Sequence, residues 1–349
     1  MEQSWMWWGG FLVAVLAMLA VDLGVFQRRS HQIRFKEALL WSIFWIAIAL
    51  VFNLGLWLGW IGSYPPAERG HAAITFLTAY LLEKSLSVDN LFVFSVIFSY
   101  FAVPPKYHHR VLFYGILGAL VFRAIFIFGG LWLIEKFAWM VYVFGVFLII
   151  TGIKLGLAKD KEIQPDRNPV LRLARAVLPL TNHYVDGHFI TRHTPSPDDG
   201  PDLIAPHCEG AKLVAPTAGR LLATPLLLVL IFIEVTDVMF AVDSIPAVIG
   251  VTRDSFIVFT SNVFAILGLR AIYFVIAAFV KMFHYLSHGL AVLLVFIGVK
   301  MLTEPILHYK MKPIHSLAVV AMILTVAVVA SLLRRRNTGA PAEEHASAS

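Results

Sequence analysis

The chain has 349 residues, 59% of them apolar and 14% charged, with a mean hydropathy of +0.77, values that exclude an ordinary soluble domain and set the class as a polytopic membrane protein. The formal charge of +6 and pI near 9.4 do not come from a basic domain, because the Lys and Arg residues are spread over short connections and the end of the last apolar run; nucleic acid is therefore not an expected partner. The single cysteine, Cys208, excludes an internal disulfide and a cysteine-based metal site.

In chain order, a first apolar run from about Trp7 to Phe26 reaches the ~20 residues that a bilayer core requires. It lacks the basic start and small-residue cleavage site of a signal peptide, and Asp22 near its end reads as an interfacial residue. Further spans are predicted at 38–61, 72–101, 111–134, 138–157, 221–250, 256–280, 287–303 and 313–333, for an all-α protein of about nine transmembrane helices. Arg28, Arg29, Arg34 and Lys36 follow the first span, Lys106 and Arg110 the third, Lys281 the seventh and Arg334 to Arg336 the ninth. The opposite connections hold fewer basic residues, so the N-terminus is expected outside and the C-terminus in the cytoplasm.

The polar connection 158–220 is then cytoplasmic, too short and polar for a domain core. Within it, His183 to Ile190 alternates like a strand pair around an Asp-Gly turn, predicting a hairpin, and Thr194 to Asp202 reads as an insertion. His183, His188, His193, His207 and Cys208 fit no tight ligand spacing and are expected to be solvated. The tail from Asn337 to Ser349 is small, polar and expected to be disordered.

Two acidic stretches stand inside apolar runs: E-K-S-L-S-V-D-N at Glu83 to Asn90, and E-V-T-D-V-M-F-A-V-D-S-I-P at Glu234 to Pro246. A charge at the centre of a spanning helix costs roughly 2.5–3.5 kcal/mol, so these acids must face protein, water or a cation. Glu83 and Asp89 are spaced as Asp237 and Asp243 are. Beyond them R-A-I-F at Arg123 answers R-A-I-Y at Arg270, and G-I-K-L at Gly152 answers G-V-K-M at Gly298. Two three-helix copies therefore repeat one plan, and with nine spans they enter the membrane from opposite sides. Such inverted repeats are typical of secondary transporters, whose site lies at the midplane on broken helices.

At 100° per residue Glu83 and Asn90 share a face, as do Glu234, Asp237 and Ser244, whereas Asp89 and Asp243 fall about 120° away. Either those two serve a different partner or the helices are irregular there. Pro246, which crowds the Val242 carbonyl, predicts a break in the second copy. Oxygen ligands from Glu83, Asp89, Asn90, Glu234, Asp237 and Asp243, without His or Cys, suit a hard divalent cation such as Mn²⁺, Mg²⁺ or Ca²⁺. The competing reading is a set of intramembrane salt bridges, and Arg123 and Arg270 are expected to be structural or gating charges rather than ligands. Glu83 with Lys84 is an awkward pair, since adjacent residues point apart. Lys154 and Lys300 are expected to reach the headgroups, and Asn262, beside Thr260 and Ser261, either adds an oxygen ligand or bonds freed backbone. No cofactor box and no H-E-x-x-H or Ser/His arrangement stands in the spans, so the protein is not expected to be an enzyme.

These acidic segments, with F-T-S-N-V-F-A-I-L-G-L-R-A-I-Y-F from Phe259, resemble the signature segments of the TerC/Alx family of bacterial inner-membrane proteins. The resemblance implies a multi-pass protein of the bacterial inner membrane tied to manganese efflux and metal homeostasis, in some members to tellurite resistance or alkaline pH. The family's acidic positions map onto Glu83, Asp89, Asn90, Glu234, Asp237 and Asp243, while Thr194 to Glu209 looks longer than the family's connection. The expected organisation is two N-terminal helices in 1–71, a first repeat in 72–157, the cytoplasmic loop 158–220, a second repeat in 221–303, and a last helix with its tail in 304–349. The expected function is export of a divalent cation, Mn²⁺ above the others, by proton-coupled antiport. No permanently bound cofactor is expected, and the expected partners are the metal cation, protons and the lipid bilayer. The alternative is a membrane anchor or chaperone that docks other complexes through the loop.

Overall fold

Proline opens four of the long helices: α3 (Pro66–Tyr100), α4 (Pro105–Lys136), α6 (Pro225–Val251) and α10 (Pro313–Asn337). At the first helical position the missing N–H costs nothing and the fixed φ suits the helix. The remaining helices are α1 (Trp5–Phe26), α2 (Phe35–Leu58), α5 (Met140–Leu157), α7 (Ser255–Ile266), α8 (Leu269–Ala277) and α9 (Leu286–Leu307). The computed structural model describes residues 4–26, 35–157, 173–174, 177–181, 184, 187–191, 221–277, 286–307 and 311–337; the side chains of 22–26, 88–89, 92, 276–277, 286, 332 and 334–337 lie outside this description. The expectations for Asp22, Thr194 to Glu209, His183, His193, His207, Cys208 and residues 338–349 also lie outside the described residues.

The protein is helical, with several helices long and apolar enough to cross a membrane. Among the described residues six qualify by length and composition, namely α2, α4, α5, α6, α9 and α10, and α7 with α8 makes a seventh if the pair is one span bent by 41°. The apolar part of α1 over Trp5–Val21 is shorter, and α3 carries Glu68, Arg69, Glu83, Lys84 and Asp89 along its 35 residues.

The expected break at Pro246 is not present. Helix α6 runs unbroken from Pro225 to Val251 with Pro246 inside it. The break falls in the next element, at Leu267 and Gly268, where Gly268 has φ +85° and a Cβ would meet the Trp45 side chain at 2.7 Å. Glycine alone tolerates both the left-handed backbone and the close approach. The predicted hairpin within 183–190 differs as well. Gly187 turns with φ +71°, but the strand after it, β1 (Ile190–Thr191), pairs antiparallel with β2 (Leu222–Ala223) at the start of α6.

Three apolar clusters pack the bundle. One joins the C-terminal part of α3 to the first halves of α4 and α6, through residues such as Phe98, Ile116 and Phe232. A second joins the earlier part of α3 to the later halves of α4 and α6, through Leu82, Ile127 and Ile245, and adds α5 and α9. The third holds α1 and α2 against α3, α7 and α8. Helix α3 therefore runs antiparallel to α6, and α4 runs parallel to α6. Helix α4 packs on α6 and α3 on α7. Helices α5 and α9 are antiparallel and in backbone contact: a Cβ on Gly298 would lie 2.7 Å from the Gly145 carbonyl oxygen, and one on Gly152 would lie 2.8 Å from that of Ala291.

Candidate functional site

On α4 and α6 the polar residues fall between the first two apolar clusters. Arg123 lies after Ile116 and before Ile127; Glu234 and Asp237 lie after Ile233 and before Ala241. Each helix thus presents a short polar interval near its middle, where Arg123 is 1% exposed, Asp237 4% and Glu83 on α3 0%. The three side chains meet. Arg123 Nη1 donates to Glu83 Oε2 at 2.5 Å, and Arg123 Nε lies 3.6 Å from Asp237 Oδ2. A buried guanidinium is thus held by two carboxylates from helices in separate halves of the chain.

The fourth member of the group is Glu234, one turn before Asp237. Its carboxylate is accommodated by Gly118 on α4, where a Cβ would lie 2.1 Å from one carboxylate oxygen and 2.3 Å from the other. Several buried polar atoms here have no hydrogen-bond partner: Glu83 Oε1, Glu234 Oε2, Asp237 Oδ2, and Arg123 Nε and Nη2. Buried polar groups are normally satisfied, so such a concentration of unused capacity marks a place suited to a further ligand, proton or water.

The predicted ligand set divides into parts. Glu83, Ser87 and Asn90 share a buried face of α3, and Asp237 and Ser244 a buried face of α6, as the helical spacing requires. Asp243 points elsewhere: Thr151 Oγ1 of α5 donates to its Oδ1 at 3.4 Å. Because α6 is regular, the 120° offset of Asp243 is resolved in favour of a different partner. Asp89 lies on α3, but its side chain is outside the described residues. Among the described residues no three His, Cys, Asp or Glu side chains converge as a ready metal shell. The convergence is on Arg123 instead. Its position among the candidate ligands themselves, between Glu83 and Asp237, was not legible in the spacing.

Asn262 on α7 is 1% exposed, and neither amide atom has a hydrogen-bond partner, whereas Thr260 and Ser261 bond the carbonyls of Phe256 and Val258 in their own helix. Arg270 is buried on α8, just past the break. Two roles escaped sequence reasoning, the partners of Lys84 and the place of Gly118. Lys84 turns away from Glu83, and its Nζ donates to the carbonyls of Ala265 at 3.0 Å and Leu267 at 3.4 Å, satisfying backbone released at the break. The glycine in the run L-G-L-R was the available signal for that break. Gly118, the second, carried no signal in the sequence that distinguishes it from other helical glycines.

Lys300 also departs from expectation. It is buried, donates to the Gly250 carbonyl at 3.2 Å and lies 3.8 Å from Glu304 Oε1, whereas Lys154 is exposed as a headgroup-reaching lysine should be. The end of α6 supplies the carbonyl that holds Lys300 inside. The ion pair borders a cavity of about 550 Å³ that His71, Thr78, Arg253 and Ser316 also line. Thr78 stands about one and a half turns before Glu83 on α3.

The chain matches the model of the integral membrane protein TerC family over residues 68–339. It is 48% identical to a membrane protein of Myxococcus xanthus over 95% of this chain and 93% of that one. It is 47% identical to a Salmonella typhi protein named "Putative membrane-bound redox modulator Alx" over 92% of each. It is 46% identical to the Escherichia coli K12 protein of the same name over 86% of this chain and 87% of that one. No solved structure matches the chain.

Proposed function

The chain belongs to the TerC family of integral membrane proteins, and on that premise we propose that it is a secondary transporter exporting a divalent cation, Mn²⁺ above the others, in exchange for protons. The observation that carries this reading is the meeting of Glu83 and Asp237, at matching positions of the two acidic stretches, on one buried cationic group. The packing of α3 on α7 and of α4 on α6 favours two inverted copies, since first and second helices then exchange partners reciprocally. The glycine contacts agree, because Gly298 on Gly145 and Gly152 on Ala291 are equivalent contacts under the same repeat. On this reading the nine helical regions cross the bacterial inner membrane, with the N-terminus outside and the C-terminus in the cytoplasm. The cavity beside Lys300 and Glu304 is then an outward vestibule.

The transported ion is held by Glu83, Asp89, Asn90, Glu234, Asp237 and Asp243, taken in more than one conformation because Asp243 faces α5 here. Oxygen ligands suit hard divalent ions, and Mn²⁺ loses its water more readily than Mg²⁺. Export against an inside-negative potential costs about 2.3 kcal/mol per charge per 100 mV. Proton entry supplies that work, and competition of protons with metal for the same carboxylates supplies the coupling.

The name of the Alx relatives carries a second reading, modulation of redox state. With one cysteine this chain cannot cycle an internal disulfide, so any redox effect runs through the carried ion or a partner. A docking role for the loop is a third possibility, favoured if deletion of Thr194 to Glu209 spares transport and loses a phenotype. The deciding experiment is metal uptake by purified protein in liposomes across Mn²⁺, Mg²⁺, Ca²⁺ and Zn²⁺, with and without a pH gradient. Mn²⁺ flux that grows with the gradient is expected; no flux of any of the four ions refutes the proposal.

A further inference from the structure

We propose that Arg123 is a tethered substitute for the transported cation, occupying the carboxylate site when the carrier is empty and leaving it when the divalent ion binds. The inference rests on the transport reading and deepens it. Its first support is positional: Glu83 and Asp237, on helices from the two halves, are joined through the Arg123 guanidinium at distances of 2.5 and 3.6 Å.

The second support is that the tie is incomplete. A permanent buried ion pair repays its desolvation only when the remaining donors and acceptors are also satisfied. Here Arg123 Nη2 is unpartnered and Nε meets Asp237 Oδ2 in an ionic contact without a hydrogen bond, while Glu83 Oε1 remains unused. Glu234 adds a third carboxyl with an unpartnered Oε2, in the recess left by Gly118. Two carboxylates against one guanidinium leave one formal negative charge, and the Glu234 carboxyl stands one turn from Asp237 on the same helix. An incoming divalent ion finds carboxylate oxygens without hydrogen bonds there, and among the described residues Arg123 is the positive group paired with them.

The consequence is mechanistic. A carrier that has released its ion must return with its carboxylates buried in the membrane, and whatever charge the returning protons do not neutralise is costly without a counter-charge. Arg123 supplies that counter-charge from within the chain. The side chain is long and its planar head can bridge two carboxylates at once, which a lysine ammonium cannot do as well. Loading the ion displaces the guanidinium, and unloading lets it back, so net transport depends on Arg123 while simple exchange of ion for ion does not.

The test uses the full chain in liposomes with Mn²⁺ as the probe, measuring Mn²⁺ affinity, Mn²⁺/Mn²⁺ exchange and net Mn²⁺ flux for wild type, Arg123→Gln and Arg123→Lys. Arg123→Gln is expected to bind Mn²⁺ roughly tenfold or more tightly, because a competing charge within ~4 Å is gone, to keep exchange and to lose net flux. Arg123→Lys is expected to bind with intermediate affinity and keep part of the net flux. An affinity for Arg123→Gln equal to or weaker than wild type, or parallel loss of exchange and net flux, overturns the tether and marks a structural bridge. If Arg123→Gln fails to fold, Arg123→Lys decides: unchanged or weaker affinity overturns the inference. Wild-type protein that binds no Mn²⁺ removes the transport reading itself, an outcome distinct from failure of the tether alone.

Discussion

Replacing Gly118 with alanine tests the acidic site with the smallest perturbation the structure offers. The added Cβ would stand 2.1 and 2.3 Å from the two Glu234 oxygens, where contacts under 3.0 Å essentially never occur, so the carboxylate must retreat by about 1 Å. The colliding atoms are the end of a flexible side chain rather than backbone, which keeps the folding cost within about 1–3 kcal/mol. A displacement of that size at a functional group is worth on the order of 100-fold in activity. Gly118→Ala is therefore expected to give normal membrane abundance and a normal gel-filtration profile, with Mn²⁺ flux in liposomes falling by about 10- to 100-fold. Gly130→Ala, on the same helix, serves as the control. Its Cβ meets only Ile249 at 3.1 Å and Ile245 at 3.8 Å, away from the acids, and flux should stay near wild type. Full activity in Gly118→Ala would refute the placement of Glu234 at the site, and equal loss in both variants would reduce the effect to helix packing.

Asp89→Asn and Asp243→Asn should each abolish transport while leaving abundance near normal, as measured by flux and immunoblot together; loss of abundance in both would mark structural roles. An alkaline phosphatase fusion after Gly62 should be active and one after Pro105 inactive, and the reverse pattern would remove the proposed orientation. Mn²⁺ affinity measured from pH 5 to pH 9 should increase with pH, since protons compete with metal for the carboxylates, and a flat profile would sink the antiport. Lys84→Met leaves the Ala265 and Leu267 carbonyls without their donor, costing about 1–3 kcal/mol, so its melting temperature should fall; an unchanged value would show that the break needs no such support.

What could be read from the sequence depended on the range of the interaction. Apolar run length located long apolar helices, six of the nine expected spans among the described residues and a seventh if the bent pair is one, and helical spacing placed Glu83 with Asn90 and Asp237 with Ser244 on buried faces, because both properties are local to one helix. Pro246 misled because the loss of one backbone hydrogen bond is a local cost, and the packing of Ile245, Ala247, Val248 and Ile249 keeps α6 continuous around it. The bend moved to Gly268, where Trp45 from α2 closes on the backbone and Lys84 from α3 supplies the donor. Neither contact is inscribed in the segment that bends. Lys300 was misjudged for the same reason: its partner, the Gly250 carbonyl, belongs to another helix.

The continuity of α6 has a mechanical result. Asp237 and Asp243 are carried on one stiff shaft, about 9 Å apart along its axis, one turned toward Arg123 and the other toward Thr151. A shaft opened at the Val242 carbonyl, which Pro246 crowds and which lies between the two acids, would let each settle with its own neighbour. An unjointed one transmits any screw or slide to both ends in the same stroke, so the acids register movement against α4 and against α5 together. Their coordination is a property of the covalent rod, and it needs no chain of contacts running between them.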